Sequence, residues 1–319
     1  MTLRPTSTNP PGSVTLLILG AGWTYQFLSP LLTKENISYA ATTTTGRDGT
    51  IPFRFDPQAD DKAPFEPLPF AAYVLVTFPL KGSGASRTLV DLYAATHSQS
   101  HSDGQSGFGG NDGAMKATKW IQLGSTGIYT TPDWNDSSSA VDASNERCVA
   151  EDELLMLGGC VLNLAGLYGG SRDPKNWVVR VAKTKEHLGA KGALHLVHGV
   201  DVARAVVGTV SRDIGGQKDR ENEEKKSLFG RRWIVADCVS YDWWSLVWDW
   251  MGESEDDGGI ERDTVQAEEK SKYRRWIIEL MAENNVRGLP RSVDALGRKL
   301  DAREFWTVIG IVPEMTLRR

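Results

Sequence analysis

Gly20-Ala21-Gly22 stands between an apolar run, Val14 to Leu19, and a segment in which apolar residues recur at helical spacing up to Leu32. Two glycines there remove side chains from a turn where the backbone bends sharply and can come close to a diphosphate. A helix opening at about Trp23 would aim its first N–H groups, those of Trp23 and Thr24, and its positive dipole end at that anion. The G-x-G-x-x-G/A spacing of dinucleotide-binding turns calls for a third small residue, and Tyr25 stands in its place. Its ring implies a displaced helix, a remodelled phosphate site or a lost one. A tight strand-to-helix turn without a ligand is the plainer alternative.

Further residues bear on the same chemistry. Ile37 to Thr45 is rich in β-branched residues and threonine and reads as a second strand, followed by Gly46-Arg47-Asp48-Gly49. An acidic residue at that strand end would accept from the ribose hydroxyls of NAD. Arg47, helped by Thr44 or Thr45, can pair instead with a 2′-phosphate, which argues for NADP(H); a solvated arginine in a turn is the alternative. Asp56, ending a short strand from Ile51, is within reach of an adenine amine, and Thr77 and Phe78 close a buried strand from Ala71 and border the cofactor. The three cysteines, Cys148, Cys160 and Cys238, are far apart, and the five histidines show no H-E-x-x-H pattern, so no metal site is expected.

These residues need a frame to position them. The 319 residues suffice for one large α/β domain with a smaller appended region, or for two domains. Strands alternate with helical patterns along the chain, which implies a doubly wound parallel sheet. The expected order is a disordered tail over 1–12, a dinucleotide-binding domain over 13–170 with a flexible insertion at 97–116, and a mixed region over 171–319. That region supplies late sheet strands and a small substrate-binding part, with 213–230 and 253–269 flexible. A helix is expected to begin near Asp201 with that residue as its N-cap, and the stretch from Ser292 to Thr316 reads as a closing tail. A net charge of -5 and a pI near 5.7 give no reason to expect nucleic acid or an anionic membrane as partner. With no apolar run of spanning length and no leader pattern, a cytoplasmic location is expected. The 11 tryptophans collect towards the C-terminal half. Trp134, Trp177, Trp243 and Trp244 either line a pocket for an apolar or aromatic small molecule or are packing residues.

Four segments in this order and spacing, LILGAGWTYQFL, QLGSTGIY, VLNLAGLYGG and LHLVHGVDVARAV, resemble the extended short-chain dehydrogenase/reductase family, and more closely its atypical branch. The resemblance covers roughly Val14 to Val312. It implies a Rossmann domain for NAD(P) with a small C-terminal region closing a substrate cleft, and a homodimer through two helices on one sheet face is within the family's habits. Ser125 or Thr126 matches the family's hydroxyl position. Aligning on Glu151 puts Arg147 where the family carries a lysine and Ala143 where it carries a tyrosine, so the usual proton-donating pair is broken. Arginine can still hold ribose or phosphate oxygens but cannot shuttle a proton. Tyr129, Tyr168 and His198 are the substitute candidates, and each has an alternative as a packing or hydrogen-bonded structural residue. Asp201 belongs to a segment best read as structural.

Three functions follow. The first is an NADP-dependent oxidoreductase acting on a small carbonyl or alcohol with a non-standard proton donor. The second is a non-redox isomerase, lyase or cyclase on the same fold. The third is an NADP(H)-binding sensor without turnover.

Overall fold

The computed structural model describes residues 12–97, 117–216, 227–252 and 264–317. A 7-stranded sheet consists of β1 (Ser13–Leu19), β2 (Tyr39–Thr43), β3 (Ile51–Pro52), β4 (Phe70–Val76), β5 (Lys119–Ser125), β6 (Cys160–Leu164) and β7 (Arg231–Val235). Their spatial order is β7-β6-β5-β4-β1-β2-β3, and every pairing is parallel. The helices are α1 (Tyr25–Lys34), α2 (Ala85–His97), α3 (Glu146–Met156), α4 (Gly199–Gly216), α5 (Trp243–Trp250), α6 (Thr264–Glu283) and α7 (Arg303–Ile309), with shorter turns between them. The expected doubly wound α/β architecture is therefore present.

The unbroken apolar run of β1 is explained by burial on both faces. Successive side chains of a strand point to opposite sides. Leu16 and Ile18 enter a core with Leu28 of α1, Val206 of α4 and Trp306 of α7, whereas Leu17 and Leu19 enter a second core with Leu89 of α2 and Leu154 of α3. Full burial of each such side chain is worth about 1.5–3 kcal/mol. The two helices on the second face are locked by charge as well as packing. Glu153 of α3 accepts from the N–H groups of Gly84, Ser86 and Arg87 at the start of α2, at 3.0, 2.9 and 3.0 Å.

A third core gathers Tyr168, Val178, Leu188, Leu196, Trp243, Trp244, Tyr273 and Ile277 from the chain after the sixth strand. Trp243 and Trp244 are buried in it, and Trp177 packs against it, so these three are packing residues; Trp134 alone of the four named tryptophans is exposed.

Several expected boundaries are corrected. The strand at Ile51 ends at Pro52 instead of Asp56, because proline offers no N–H to continue a ladder. α4 starts at Gly199, and its first free N–H groups meet His198: Val200 N–H donates to His198 Nδ1 at 3.2 Å. Asp201 therefore lies inside the first turn instead of capping it. Its buried carboxylate accepts from the N–H groups of Glu314 and Met315, both at 2.8 Å, and tethers the end of the chain. α4 continues to Gly216, into the stretch expected to be flexible from 213, and α6 opens at Thr264, inside the expected linker. His97 is the last residue of α2, with its ring nitrogens against Tyr93 O and Leu68 O. The stretch from Ser292 is more than a tail, for it contains the strand Lys299–Leu300 and α7. The expected tail and the remaining parts of the expected insertions, 1–11, 98–116, 217–226 and 253–263, lie outside the described residues.

Two buried titrating groups face the third core's edge with opposite signs. Burial pushes His195 down to about 4 from 6.5, aided by Arg298, and pushes Asp237 up to about 6 from 3.8. His195 therefore contributes stability that is present above pH 6.5 and lost as pH falls towards 4. Asp237 contributes stability that is present below pH 3.8 and lost as pH rises through 6. Each amounts to about 3 kcal/mol over its window, and in the wild type they offset one another. Thermal melts from pH 4 to 7 are expected to show Asp237→Asn losing stability on acidification relative to wild type, and His195→Gln losing it as pH rises. Parallel pH profiles for all three proteins would refute the assignment.

Candidate functional site

The strand order reverses between β1 and β4, and at such a point the two chains leaving the sheet diverge and open a crevice at the carboxyl ends of the strands. Gly20 follows β1 and Thr77 follows β4. The Thr77 hydroxyl donates to Gly20 O at 2.6 Å and to Leu19 O at 3.1 Å. A Cβ on Gly20 would lie 2.6 Å from that hydroxyl, and its φ of +99° disfavours any side chain. Gly22 differs: a Cβ built there meets nothing within 4 Å, and the residue borders a groove of about 540 Å³. The groove is lined by Gly20, Ala21 and Gly22, by Thr43, Thr44 and Thr45 at the end of β2, by Arg47, and by Thr77 and Phe78.

The backbone donors of the turn are largely taken. Gly20 N–H donates to Thr42 Oγ1 at 3.0 Å, Ala21 N–H to Thr42 O at 2.6 Å and Gly22 N–H to Gly20 O at 2.8 Å. An anion in the groove would depend on the first N–H groups of α1, which no side chain caps and no acidic residue of the first turn faces. The helix begins two residues later than expected, and Tyr25 is its first residue. The Tyr25 ring turns away to Tyr39 at the opposite end of β2, 6.4 Å between centroids, and burial beside that second phenol pushes its hydroxyl up to about 12. It is not among the groove's lining residues, so the phenol in the third-glycine position leaves the crevice open.

Arg47 is 67% exposed, with Asp48 at 4.0 Å, a contact worth little in solvent. No carboxylate of the described residues lines the groove. Asp56 is turned into its own loop, accepting from Gln58 N–H at 2.9 Å, and does not border the groove.

On the far side of the turn, Trp23 donates from Nε1 to Gly169 O at 3.0 Å, and Arg172 lies over its indole at 4.4 Å. The link couples the glycine turn to the turn after the strand Gly166–Tyr168. Phe27, His198 and Tyr168 continue the contact as edge-on rings 5.5 and 4.9 Å apart. A Cβ on Gly169 would strike His198 Nε2, which is why glycine stands there. His198 thus accepts from the first turn of α4, and burial lowers its imidazole below the usual histidine range.

The hydroxyl candidates have different commitments. Thr126 is buried and donates to Leu164 O at 3.3 Å. Tyr129 is buried and donates to Asn163 Oδ1 at 3.4 Å, while Asn163 Nδ2 donates to Glu151 at 2.9 Å, and Arg232 lies 3.8 Å from the same carboxylate oxygen. Burial raises both the Tyr129 phenol and the Glu151 carboxyl above their ordinary values. Ser125 is half-exposed, and its oxygen only accepts, from Gly127 N–H at 3.2 Å, so its proton is uncommitted. The Tyr168 hydroxyl is buried with no hydrogen-bond partner, and burial raises it as well. Ala143 is exposed, and Arg147 is half-buried at the start of α3 behind the Asn145 cap.

Two features were missed from the sequence. The Tyr129–Asn163–Glu151 chain was signalled only by a polar residue inside the apolar run VLNLA and a carboxylate on the apolar face of α3. Arg298 carried no signal: its Nε donates to Tyr129 O at 3.2 Å and its Nη2 to Thr126 O, from a segment far away in sequence.

No family model and no curated protein matches this sequence. Among solved structures, the chain is similar to a conserved protein of unknown function from Silicibacter pomeroyi, at 14% identity and a TM-score of 0.54 over 95% of this chain and 94% of that one. It is also similar to MoeE5 in complex with UDP-glucose and NAD, at 12% identity and 0.52 over 95% and 94%. A third is RMD from Pseudomonas aeruginosa complexed with NADPH, at 11% identity and 0.51 over 95% of each chain. At such identities the likeness establishes the fold, a Rossmann-like doubly wound sheet over nearly the whole chain. No helix of the described residues is long and apolar enough to cross a membrane.

Because a Cβ on Gly22 meets nothing within 4 Å and the residue borders the groove, Gly22→Ala is expected to leave the melting temperature within about 2 °C of wild type. The same change should weaken binding of any diphosphate-bearing nucleotide at least tenfold, read by tryptophan fluorescence titration. Unchanged affinity would show that the groove is not where a nucleotide sits.

Proposed function

We propose that the chain is an atypical member of the extended short-chain dehydrogenase/reductase type that binds NADP(H) and reduces a small carbonyl compound. One observation carries the reading: the groove at the strand reversal is lined by both glycines, four threonines and Arg47, with no carboxylate of the described residues among its lining. A 2′-phosphate needs donors and a cation there, and a free ribose diol needs an acceptor. The residues fit the former. MoeE5 and RMD, on the same fold, were solved with NAD and NADPH respectively, which supports a nicotinamide dinucleotide without choosing between the two.

When bound, the nicotinamide would supply a hydride to the carbonyl carbon, leaving the oxygen to take a proton. Ser125, with its hydroxyl proton uncommitted, is the group we assign to hydrogen-bond that oxygen. Tyr168 is the phenol left without a partner and is the proton donor in this reading. Its raised pKa keeps it protonated throughout the physiological range, which suits an acid for reduction and disfavours a phenolate base for oxidation. Arg147 takes over contact with ribose or phosphate oxygens from the family's lysine. Thr126, Tyr129 and His198, with their polar atoms engaged elsewhere, are assigned to shaping the site.

A second reading has one observation in its favour. The position of the family's acid is an exposed alanine, Ala143, which suits a nucleotide-binding sensor without turnover. Turnover of NADPH at 340 nm with small carbonyl compounds separates the two readings.

Titration of the purified protein with NADPH and NADH is expected to show tryptophan quenching with NADPH preferred. Arg47→Ala should erase the preference by tenfold or more, about 1.4 kcal/mol. Absence of binding by either at millimolar concentration removes the proposal. For turnover, reduction should show no loss on the alkaline side up to pH 9, because the donor phenol stays protonated, and Tyr168→Phe should lower kcat by about 10²-fold or more. A kcat unaffected by Tyr168→Phe would dismiss that donor.

A further inference from the structure

Arg298 is a half-buried guanidinium for which the described part of the protein offers no counter-charge. Its two hydrogen bonds go to backbone carbonyls, Tyr129 O and Thr126 O, of the turn that carries Ser125. No carboxylate of the described residues comes within salt-bridge distance of it, and burial without an acidic partner lowers its pKa. Its neighbours are treated differently. Lys299 is buried against Asp133, and Arg291 donates to both oxygens of Asp242 through its backbone N–H and side chain. Leaving a cation desolvated and unpaired is costly, and the two carbonyls, being neutral, offset only part of that cost.

The geometry of the guanidinium narrows what would complete it. Nε and one N–H of Nη2 are taken by the two carbonyls. The Nη1 group and the second N–H of Nη2 remain, and together they form one planar fork of the kind that a carboxylate grips with both oxygens. Of the two adjacent cations, Lys299 is matched by Asp133, and among the described residues Arg298 has no carboxylate against it. A singly charged carboxylate balances it, whereas a phosphate would bring more charge and more acceptors than this fork serves.

We propose that Arg298 binds the carboxylate of the substrate, so that the small carbonyl compound is an oxo acid held with its reacting carbonyl towards the Ser125 turn. The identification of the reacting group rests on the reductase reading; the carboxylate subsite rests on Arg298 itself.

The test uses the full-length protein and a pair of probes, 2-oxobutyrate and its methyl ester, which differ only in the charge. Binding is read by thermal shift, with and without NADPH. The acid is expected to stabilise the protein at concentrations at least tenfold lower than the ester. Arg298→Gln keeps an amide donor for the turn carbonyls but removes the cation, and it should reduce that discrimination below twofold. Arg298→Lys should recover only part of it, because an ammonium lacks the fork, and both variants should retain NADPH affinity within twofold of wild type. Equal stabilisation by acid and ester, or discrimination that persists in Arg298→Gln, overturns the proposal. So does inorganic phosphate displacing the acid at lower concentration than the acid itself binds. If NADPH fails to bind while the acid is still preferred through Arg298, the reductase reading falls and the carboxylate subsite stands.

Discussion

The contact on which the crevice depends is the approach of Thr77 to the backbone of Gly20. Two parallel strands run side by side through the centre of the sheet, and each must leave it towards a helix on the opposite face. Where they part, the Thr77 hydroxyl donates to the carbonyls of Leu19 and Gly20. No side chain fits between them, and φ at Gly20 is positive. The bond holds the mouth of the turn at fixed width while Thr42, one strand over, takes the N–H groups of Gly20 and Ala21. With the N–H groups of Gly20, Ala21 and Gly22 satisfied, the start of α1 is the part of this turn that no side chain caps.

That division explains how the phenol at Tyr25 is accommodated. In the usual pattern the third glycine permits close packing of helix on strand. Here α1 starts at that residue, and its side chain runs away from the groove towards Ser29, one turn further along the helix, and Tyr39. Tyr39 at the start of β2 receives the ring, and Tyr25 is not among the residues that line the crevice.

Legibility in the sequence followed the range of the interactions. The strand-turn-helix units could be read because each is local: the apolar runs of β1 and β4 and the glycines at 20 and 22 all act within a few residues. The crevice itself followed from the order of such units. What escaped were pairings across long separations. His198 was open between a cleft residue and a structural one, and what the sequence could not show is its packing against Phe27 and Tyr168, two rings that come from different units. Asp201 looked like a cap by type, but the backbone it holds is at the far end of the chain. Arg298 had no local pattern to betray it, because its partners are carbonyls, which every residue possesses.

The distribution of pairing among the cations adds a physical reason to look for ligands at both ends of the site. Lys119 is tied to Asp213, Arg232 to Asp152, Arg291 to Asp242 and Lys299 to Asp133, each at an element junction where packing would otherwise strand a charge. In such places the partner carboxylate is part of the fold, and removing it would leave a desolvated cation. Arg47 and Arg298 depart from this habit in different ways. Arg47 stays in water beside the groove, where lacking a strong partner costs nothing, and it remains available to a phosphate. Arg298 is half-buried, where lacking one does cost, and folding stability alone would favour either a neutral side chain or a nearby carboxylate. A bound anion at that point supplies the missing charge, so binding strengthens the very turn that carries Ser125. Occupancy of the subsite and order in the Ser125 turn are then linked through the same two carbonyl contacts.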